Sequence, residues 1–316
     1  MAKKPSIKIL CCIFGDVNSW YANQRSQPIK PIEEATLGTR IASALVLAPV
    51  VLIIVWLGGW WTTGLIAAAV VIGIYEIQRI LRAGGYHPRL PLAIGLGLAF
   101  VAAAVAQPQT KVNLTGAVVA LGAMASLIYE ISRRERTGAL DAWAASLGSA
   151  IYAGAMLSHF VLLRAATSPA LNGGPLSSLN IETGAAWIYA TFAVTWASDT
   201  GAYFAGRTFG KHKLAPVLSP KKTWEGFVGG TIASIAAGIG IVALLGMPLT
   251  LVQAIILGVI GAGGGTLGDL AESLLKRQAG VKDSGNLIPG HGGLLDRVDS
   301  LLFTAPLVYY VLVAWL

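Results

Sequence analysis

Long apolar runs separated by short polar segments make up the chain from residue 40 to its end. A helix needs roughly 20 consecutive apolar residues to cross a bilayer, and tilting accommodates runs that are slightly shorter or longer. Nine runs meet this requirement: 40–57, 62–81, 90–107, 112–130, 143–163, 185–205, 227–246, 249–275 and 300–316. The pattern predicts an all-α, polytopic membrane protein with about nine transmembrane helices.

Polar segments divide the predicted bundle into three parts. Residues 1–39 form a tail, residues 40–184 hold helices 1–5, and residues 185–316 hold helices 6–9 with two basic loops. The apolar run inside the tail is short, and no small-residue cleavage site follows it. We therefore expect a cytoplasmic tail rather than a secretory signal, and a catalytic region in the last part.

Composition and charge support a membrane protein and set its orientation. The chain is 55% hydrophobic and 12% charged, with a formal charge of +8. In a membrane protein this positive charge is explained by basic cytoplasmic loops and an anionic lipid or nucleotide substrate, so we expect no nucleic-acid partner. With the N-terminus inside, every Lys and Arg except Lys111 and Arg164 falls on the inner side. The N-terminus is therefore predicted to be cytoplasmic and the C-terminus outside.

Five acids interrupt the apolar runs: Glu76, Glu130, Asp199, Asp269 and Glu272. Each costs about 2.5–3.5 kcal/mol at membrane depth, so each needs a reason. All five fall in the inner halves of predicted helices 2, 4, 6 and 8 and so face the cytoplasmic side. We expect Glu76 and Glu130 to pair with arginines close to them in sequence, and Asp199 and Asp269 to be functional. The candidate partners are Arg79, Arg82 and Arg133.

The polar stretch 273–299 lies between the last two apolar runs and concentrates cations, carboxylates and glycines. Asp269 and Lys276 lie on one helical stripe with Glu272 and Ser273, at i, i+3, i+4 and i+7. Asp296 and Asp299 begin the last helix. Carboxylates from two helices can share Mg²⁺, which prefers oxygen ligands. The alternative, that these last two acids only complement the positive end of their helix, does not account for Asp269.

The other basic loop, 206–226, has features that suit phosphate. Lys221 and Lys222 can neutralise phosphate oxygens, and Ser219 or Thr223 can cap the following helix, whose N-terminus favours an anion. A loop that is basic only because it is cytoplasmic is the alternative.

Two glycine-containing segments resemble nucleotide-binding motifs only in part. The segment Gly206 to His212 is one residue shorter than a P-loop and lacks the Ser or Thr after Lys211. Gly263 to Gly268 has the spacing G-x-G-x-x-G but lies inside an apolar helix with no preceding strand. The second pattern therefore predicts close helix packing beside Asp269.

The polar stretch contains the pattern Ser273-x-x-Lys276-Arg277, Lys282-Asp283-x-Gly285 and His291-Gly292-Gly293-x-x-Asp296-Arg297-x-Asp299. This pattern resembles the signature of the phosphatidate cytidylyltransferases, also called CDP-diacylglycerol synthases. An upstream part runs from Ser198-Asp199 through Gly206-Arg207 and Gly210-Lys211 to Ser219-Pro220-Lys221-Lys222-Thr223-Trp224-Glu225-Gly226. The strong match covers about residues 195–300.

The resemblance implies that CTP and phosphatidate react to give CDP-diacylglycerol and pyrophosphate, with Mg²⁺ as cofactor. It also implies metal ligands at Asp269 and Asp296, a second cation such as K⁺ nearby, and a homodimer. We expect a bacterial inner (cytoplasmic) membrane protein whose active site faces the cytoplasm.

Residue roles follow from this chemistry as expectations. The catalytic candidates are Asp269, Lys276, Arg277, Lys282, Asp283, His291 and Asp296. The substrate-binding candidates are Arg207, Ser219, Lys221, Lys222, Thr223 and Arg297. The metal candidates are Asp269, Asp296 and Asp299, with Asp283 as a weaker one. His291 is expected to donate to the leaving pyrophosphate or to orient a phosphate.

Two other functions stay open at this point. A CTP-dependent lipid kinase would use the same membrane and the same nucleotide. A lipid alcohol would attack the γ-phosphate of CTP, and CDP would be released. An ion-coupled transporter would use Asp199 and Asp269 as coupling sites. Transporters place such acids near the midplane in repeated, broken helices, whereas these acids gather at one face and no internal repeat is evident.

Overall fold

The computed structural model describes residues 37–110, 112–134, 137–167, 169–285 and 292–315, with side chains from residue 45 onward. Residues 1–36 of the predicted tail and His291 lie outside the described residues. Helices coincide with all nine apolar runs. They are α1 Leu37–Leu57, α2 Gly59–Ala83, α3 Leu90–Thr110, α4 Thr115–Ser132, α5 Ala139–Arg164, α6 Thr183–Phe209, α7 Trp224–Leu245, α8 Leu251–Gln278 and α9 Leu295–Trp315. The middle of α5, Ala150–Ala155, is a π-helical turn.

Seven of the described helices are long and apolar enough to cross a membrane: α2, α3, α4, α5, α7, α8 and α9. The described apolar part of α1, Leu45–Leu57, is shorter. The all-α membrane class is therefore confirmed. The count of nine spans and the orientation of the termini stay predictions.

Close packing brings α6, α7 and α8 together. A Cβ added at Gly230 of α7 would lie 2.7 Å from the carbonyl oxygen of Ser198 on α6. The buried hydroxyl of Ser234 on α7 lies 2.8 Å from the carbonyl oxygen of Val194 and 2.7 Å from that of Gly258 on α8. Small residues allow such approaches, which supply the packing that apolar surface alone does not provide within a membrane.

The glycines of α8 place α9 directly against it. A Cβ added at Gly264 would lie 3.2 Å from Cα of Thr304, and one at Gly268 would lie 3.0 Å from the carbonyl carbon of Asp299. The prediction of close helix packing in the segment Gly263 to Gly268 is confirmed at Gly264 and Gly268, whereas a Cβ at Gly263, the first glycine of the pattern, would meet no atom within 4 Å. As a consequence, Asp269 lies beside the first turn of α9.

A β-hairpin occupies the loop between α6 and α7. Strands β1 Lys213–Ala215 and β2 Ser219–Thr223 pair antiparallel. The sequence did not predict it, because the strands are short and β2 contains proline and two lysines, which are poor strand signals. Thr223 ends the hairpin and accepts a hydrogen bond from the Gly226 backbone N–H at 3.1 Å. The predicted cap of the next helix is therefore Thr223.

Glu225 fixes the hairpin to the start of α7. Its carboxylate accepts hydrogen bonds from the backbone N–H groups of Lys211 at 3.1 Å and His212 at 3.2 Å, and contacts the His212 ring at 2.6 Å. A carboxylate in the first turn also complements the helix dipole. The hairpin is thus held at the same end of the bundle as the last turn of α8.

Two buried acids have partners that differ from those expected. Glu130 lies 3.5 Å from Arg133, as predicted, but its closer partner is Arg89 at 2.8 Å. The expectation for Glu76 was wrong: its hydrogen-bond donors are the Ser284 hydroxyl and the backbone N–H groups of Leu294 and Leu295. The polar stretch 273–299 supplies these groups, so sequence proximity misled the prediction.

Candidate active site

A polar cavity of about 560 Å³ lies where α6, α7, α8, α9 and the hairpin meet. Its polar lining residues are Asp199, Tyr203, Arg207, Ser219, Lys221, Lys222, Thr223, Thr266, Asp269, Asp296, Asp299 and Ser300. The structure thereby unites eight candidates from the loop 206–226, α8 and the polar stretch 273–299: Arg207, Ser219, Lys221, Lys222, Thr223, Asp269, Asp296 and Asp299. Its volume lies within the range of about 300–1,000 Å³ that is usual for small-molecule sites.

Cationic side chains line this cavity. Nζ of Lys222 lies 2.7 Å from Oδ2 of Asp269, and both side chains are partly exposed, at 22% and 36%. Lys221 is exposed, and Arg207 donates to the Tyr203 hydroxyl at 3.0 Å. Cations with access to the cavity can exchange these contacts for phosphate oxygens, which form charge-assisted hydrogen bonds.

Carboxylates line the same cavity, and one of them, Asp269, contacts Lys222. Asp199 and Asp299 line it as well, and like charges in one cavity repel one another. Within the described ranges, no three carboxylate, histidine or cysteine side chains come close enough to hold a metal ion by themselves. Mg²⁺ is usually held by one or two carboxylates, with water and substrate phosphate as its other ligands. The hard oxygen donors and their mutual repulsion therefore fit an Mg²⁺ ion that binds together with a phosphorylated substrate.

Asp296 is the centre of a hydrogen-bond network. Its Oδ1 accepts a hydrogen bond from Lys276 Nζ at 2.7 Å, and its Oδ2 lies 3.0 Å from the Ser284 backbone nitrogen and 2.9 Å from that of Gly293. Lys276 also donates to Glu272, a residue of α8 that is 1% exposed, at 3.0 Å. The network connects Ser284 and Gly293 to α8 through Asp296 and Lys276. Metal ligation by Asp296 stays a prediction, because its carboxylate is hydrogen-bonded to Lys276. The other α9 carboxylate, Asp299, is the one whose charge repels that of Asp269.

A second cavity, also about 560 Å³, adjoins the first and is mainly apolar. Its apolar lining includes Val51 of α1, Ile66 of α2, Phe160 of α5 and Phe192 of α6. The two cavities share three lining residues: Asp199, Asp296 and Asp299. Arg297 lines the apolar one. A water-soluble ligand and an apolar ligand can thus reach the same carboxylates from two cavities.

Some candidates lie elsewhere. Four candidates line neither of these two cavities: Lys276, Arg277, Lys282 and Asp283. Lys276 reaches the polar cavity only through its hydrogen bond to Asp296, and Lys282 and Asp283 are exposed. Nothing can be assigned to His291, which lies outside the described residues. Asp199, expected to be functional, lines both cavities.

Sequence reasoning assigned no place in the site to five polar residues around it: Tyr203, Thr266, Ser284, Ser300 and the long-range partner Glu76. Tyr203 had two signals, its helical spacing of i+4 from Asp199 and its place in the run that resembles the family.

The fold is that of an integral membrane protein in which a polar cavity lies next to an apolar one. The sequence profile of the cytidylyltransferase family matches residues 38–315. The chain therefore belongs to the cytidylyltransferase family, a group of nucleotide-transferring enzymes.

Similar proteins come from bacteria and from a plant. A phosphatidate cytidylyltransferase of Synechocystis sp. is 36% identical over 298 residues, which cover 90% of this chain and 97% of that protein. The phosphatidate cytidylyltransferase of Bacillus subtilis is 38% identical over 165 residues, covering 52% of this chain and 56% of that protein. Phosphatidate cytidylyltransferase 5, chloroplastic, of Arabidopsis thaliana is 36% identical over 273 residues, covering 81% of this chain and 67% of that protein.

Proposed function

We propose that this protein transfers the cytidylyl group of CTP to phosphatidate, forming CDP-diacylglycerol and pyrophosphate. The observation that carries the proposal is the meeting of the polar cavity, which holds three cationic side chains, and the apolar cavity at Asp199, Asp296 and Asp299. A reaction between a nucleotide and a membrane lipid needs such a junction. The charged nucleotide does not suit an apolar cavity, and the lipid's acyl chains do not suit a polar one.

The nucleotide occupies the polar cavity in this proposal. Lys221, Lys222 and Arg207 bind the triphosphate, and the capped N-terminus of α7 adds favourable backbone dipoles. Lys222 is held by Asp269 in the structure. When phosphate takes over the ammonium group, the Asp269 carboxylate becomes available to a cation that arrives with the nucleotide.

The lipid occupies the apolar cavity. Its acyl chains contact α1, α2, α5 and α6, and its phosphate lies near Arg297 at the acidic end of that cavity. The head group thereby reaches the site while the chains stay among apolar side chains, which avoids exposing them to water.

The chemistry requires positioning and charge neutralisation. An oxygen of the phosphatidate phosphate bonds to the α-phosphorus of CTP, and the bond from that phosphorus to the bridging oxygen breaks, so pyrophosphate leaves with the bond electrons. The attacking oxygen is already anionic and needs no strong general base. The cationic side chains hold the two anionic substrates in line and stabilise the charge that develops on the leaving group. Mg²⁺, held by Asp269 with Asp299 or Asp296, would supply further charge neutralisation at the phosphates.

The proposal includes several finer statements that come from the family resemblance and from charge. The protein would be a homodimer in a bacterial inner membrane, with its site on the cytoplasmic side, and a second cation such as K⁺ would bind near the Mg²⁺. Dimerisation can be tested by light scattering of the purified protein with detergent subtracted.

The transfer reaction can be tested directly with the purified full-length protein. CTP labelled at the α-phosphate is incubated with phosphatidate in mixed micelles, with and without Mg²⁺, and lipids are extracted and separated. We expect Mg²⁺-dependent label in CDP-diacylglycerol and unlabelled pyrophosphate in water. A parallel incubation of γ-labelled CTP with diacylglycerol distinguishes the kinase: label in lipid there, with none from α-labelled CTP and phosphatidate, would show a lipid kinase. No label in lipid from either incubation would refute the proposal.

A further inference from the structure

Glu76 is a buried carboxylate on a helix that contributes no lining residue to the polar cavity. It lies on α2 and is 2% exposed, next to the buried side chains of Ile74 and Ile77. Burying a carboxylate is costly unless its oxygens accept good hydrogen bonds. The partners of Glu76 therefore indicate what the residue is for.

The carboxylate caps the first turn of α9. Oε1 accepts a hydrogen bond from the Leu294 backbone N–H at 2.9 Å, and Oε2 accepts one from the Leu295 backbone N–H at 2.8 Å. The first N–H groups of a helix have no partner within the helix, and Leu294 has no side-chain acceptor to cap them. Glu76 supplies that acceptor from α2, and its negative charge complements the helix dipole.

The Glu76 carboxylate also contacts the connection between α8 and α9 at Ser284. The Ser284 hydroxyl lies 3.1 Å from Glu76 Oε2. Added Cβ atoms at Gly285 and Gly293 would lie 2.9 Å and 2.6 Å from Glu76 Oε1. Because both residues are glycines, the chain at Gly285 and the chain at Gly293 can each pass close to the same carboxylate. Glu76 therefore holds these two parts of the connection between α8 and α9 together.

This contact leads to Asp296. The Ser284 hydroxyl lies 2.9 Å from Asp296 Oδ2, so it bridges the two carboxylates by donating to one at a time. The other oxygen of Asp296 accepts a hydrogen bond from Lys276. Glu76, Ser284, Asp296 and Lys276 therefore form one continuous polar chain from α2 to the rim of the polar cavity.

We propose that Glu76 is a positioning residue for the transfer reaction, which sets the orientation of Asp296 and Lys276 through Ser284 and the first turn of α9. The inference rests on the proposed function. Its role differs from that of a substrate-binding group, because Glu76 lines neither cavity.

Glu76→Gln is the sharpest substitution. Both carboxylate oxygens accept from backbone N–H groups, so the amide nitrogen of Gln has to face a donor whichever way it is turned. Ser284→Ala is the gentler partner variant, since it leaves the cap in place and removes only the bridge to Asp296. Glu130→Gln is the matched control, because Glu130 is also a buried helical carboxylate, 4% exposed, but pairs with Arg89 and lines neither cavity.

Steady-state kinetics with α-labelled CTP and phosphatidate test the proposal. We expect kcat to fall by about 100-fold in Glu76→Gln, the loss typical of reacting groups misplaced by about 1 Å. The KM values of Glu76→Gln for CTP and for phosphatidate should stay near wild type. The kcat of Glu130→Gln should also stay near wild type. The double variant of Glu76→Gln with Ser284→Ala should lose less than the product of the two single losses, because both act through Asp296. A normal kcat in Glu76→Gln, or fully multiplicative losses, would overturn the role.

Hydrogen exchange of the full-length protein in detergent provides a readout that does not depend on activity. Peptides containing Leu294 and Leu295 should exchange faster in Glu76→Gln than in wild type and in Glu130→Gln. Unchanged exchange would overturn the inference while leaving the proposed function intact. A wild-type protein that transfers no label would refute the proposed function, and with it the positioning role, even if the cap is seen by exchange.

Discussion

Gly268 controls how closely α8 and α9 approach beside the carboxylates of the polar cavity. A Cβ added there would lie 3.0 Å from the Asp299 carbonyl carbon, 3.1 Å from Ser300 Cα and closer still to the Asp299 carbonyl oxygen. These are backbone atoms that cannot rotate away. Because non-bonded carbon atoms pack best at about 3.5–4.0 Å, Gly268→Ala requires α9 to move from α8 by on the order of 1 Å.

The expected effect on turnover is large and the effect on stability moderate. Gly268 precedes Asp269, so the shift separates that carboxylate from Asp299. Misplacement of reacting groups by about 1 Å costs about 100-fold in rate, whereas an overpacked helix contact costs about 1–3 kcal/mol of folding free energy. We therefore expect a folded protein whose kcat is about 100-fold lower.

The control is Gly263→Ala, the same substitution on the same helix at a position with no atom within 4 Å of the added Cβ. Transfer of α-labelled CTP gives kcat, and thermal unfolding in detergent gives stability. Equal turnover in Gly268→Ala and Gly263→Ala would refute the argument that close contact of α8 with α9 sets the geometry of the site.

Three further substitutions test separate parts of the site. Lys222→Met should lower kcat/KM for CTP by roughly 10- to 150-fold, the equivalent of one charge-assisted hydrogen bond of about 1.5–3 kcal/mol. Lys213 is exposed and serves as the control. An equal loss in Lys213→Met would contradict a specific role of Lys222. Ala69→Trp, inside the apolar cavity, should raise KM for phosphatidate but not for CTP, and Ala68→Trp on the exposed face of α2 should change neither. Thr223→Val should destabilise the protein by about 0.5–2 kcal/mol through loss of the α7 cap, whereas Thr223→Ser should retain it; equal unfolding midpoints for the two variants would exclude the cap.

The periodic and local features of the chain were predictable from the sequence. Apolar runs set the helices, because burial in a bilayer requires long apolar segments with satisfied backbone groups. The glycines of the segment Gly263 to Gly268 indicated close packing, and the acids Asp199 and Asp269 indicated function because isolated charge is costly at membrane depth.

Long-range contacts were not predictable in the same way. The partners of Glu76 lie more than 200 residues away in the chain, so local charge spacing favoured arginines that it does not use. The hairpin also escaped prediction, because Thr223, Glu225 and their hydrogen bonds stabilise it rather than strand-forming residues. Lys282 and Asp283 belong to the family pattern but lie outside the cavities, since resemblance marks residues without giving their orientation.

The junction of the two cavities also determines how the products depart. Under the proposed reaction, pyrophosphate forms in the cavity lined by lysines and by the hairpin, whereas the tails of CDP-diacylglycerol remain among the apolar side chains of α1, α2, α5 and α6. Under this proposal, pyrophosphate leaves towards water without passing apolar side chains. CDP-diacylglycerol leaves laterally while its acyl chains stay in an apolar environment. Release of one product therefore does not have to wait for the other.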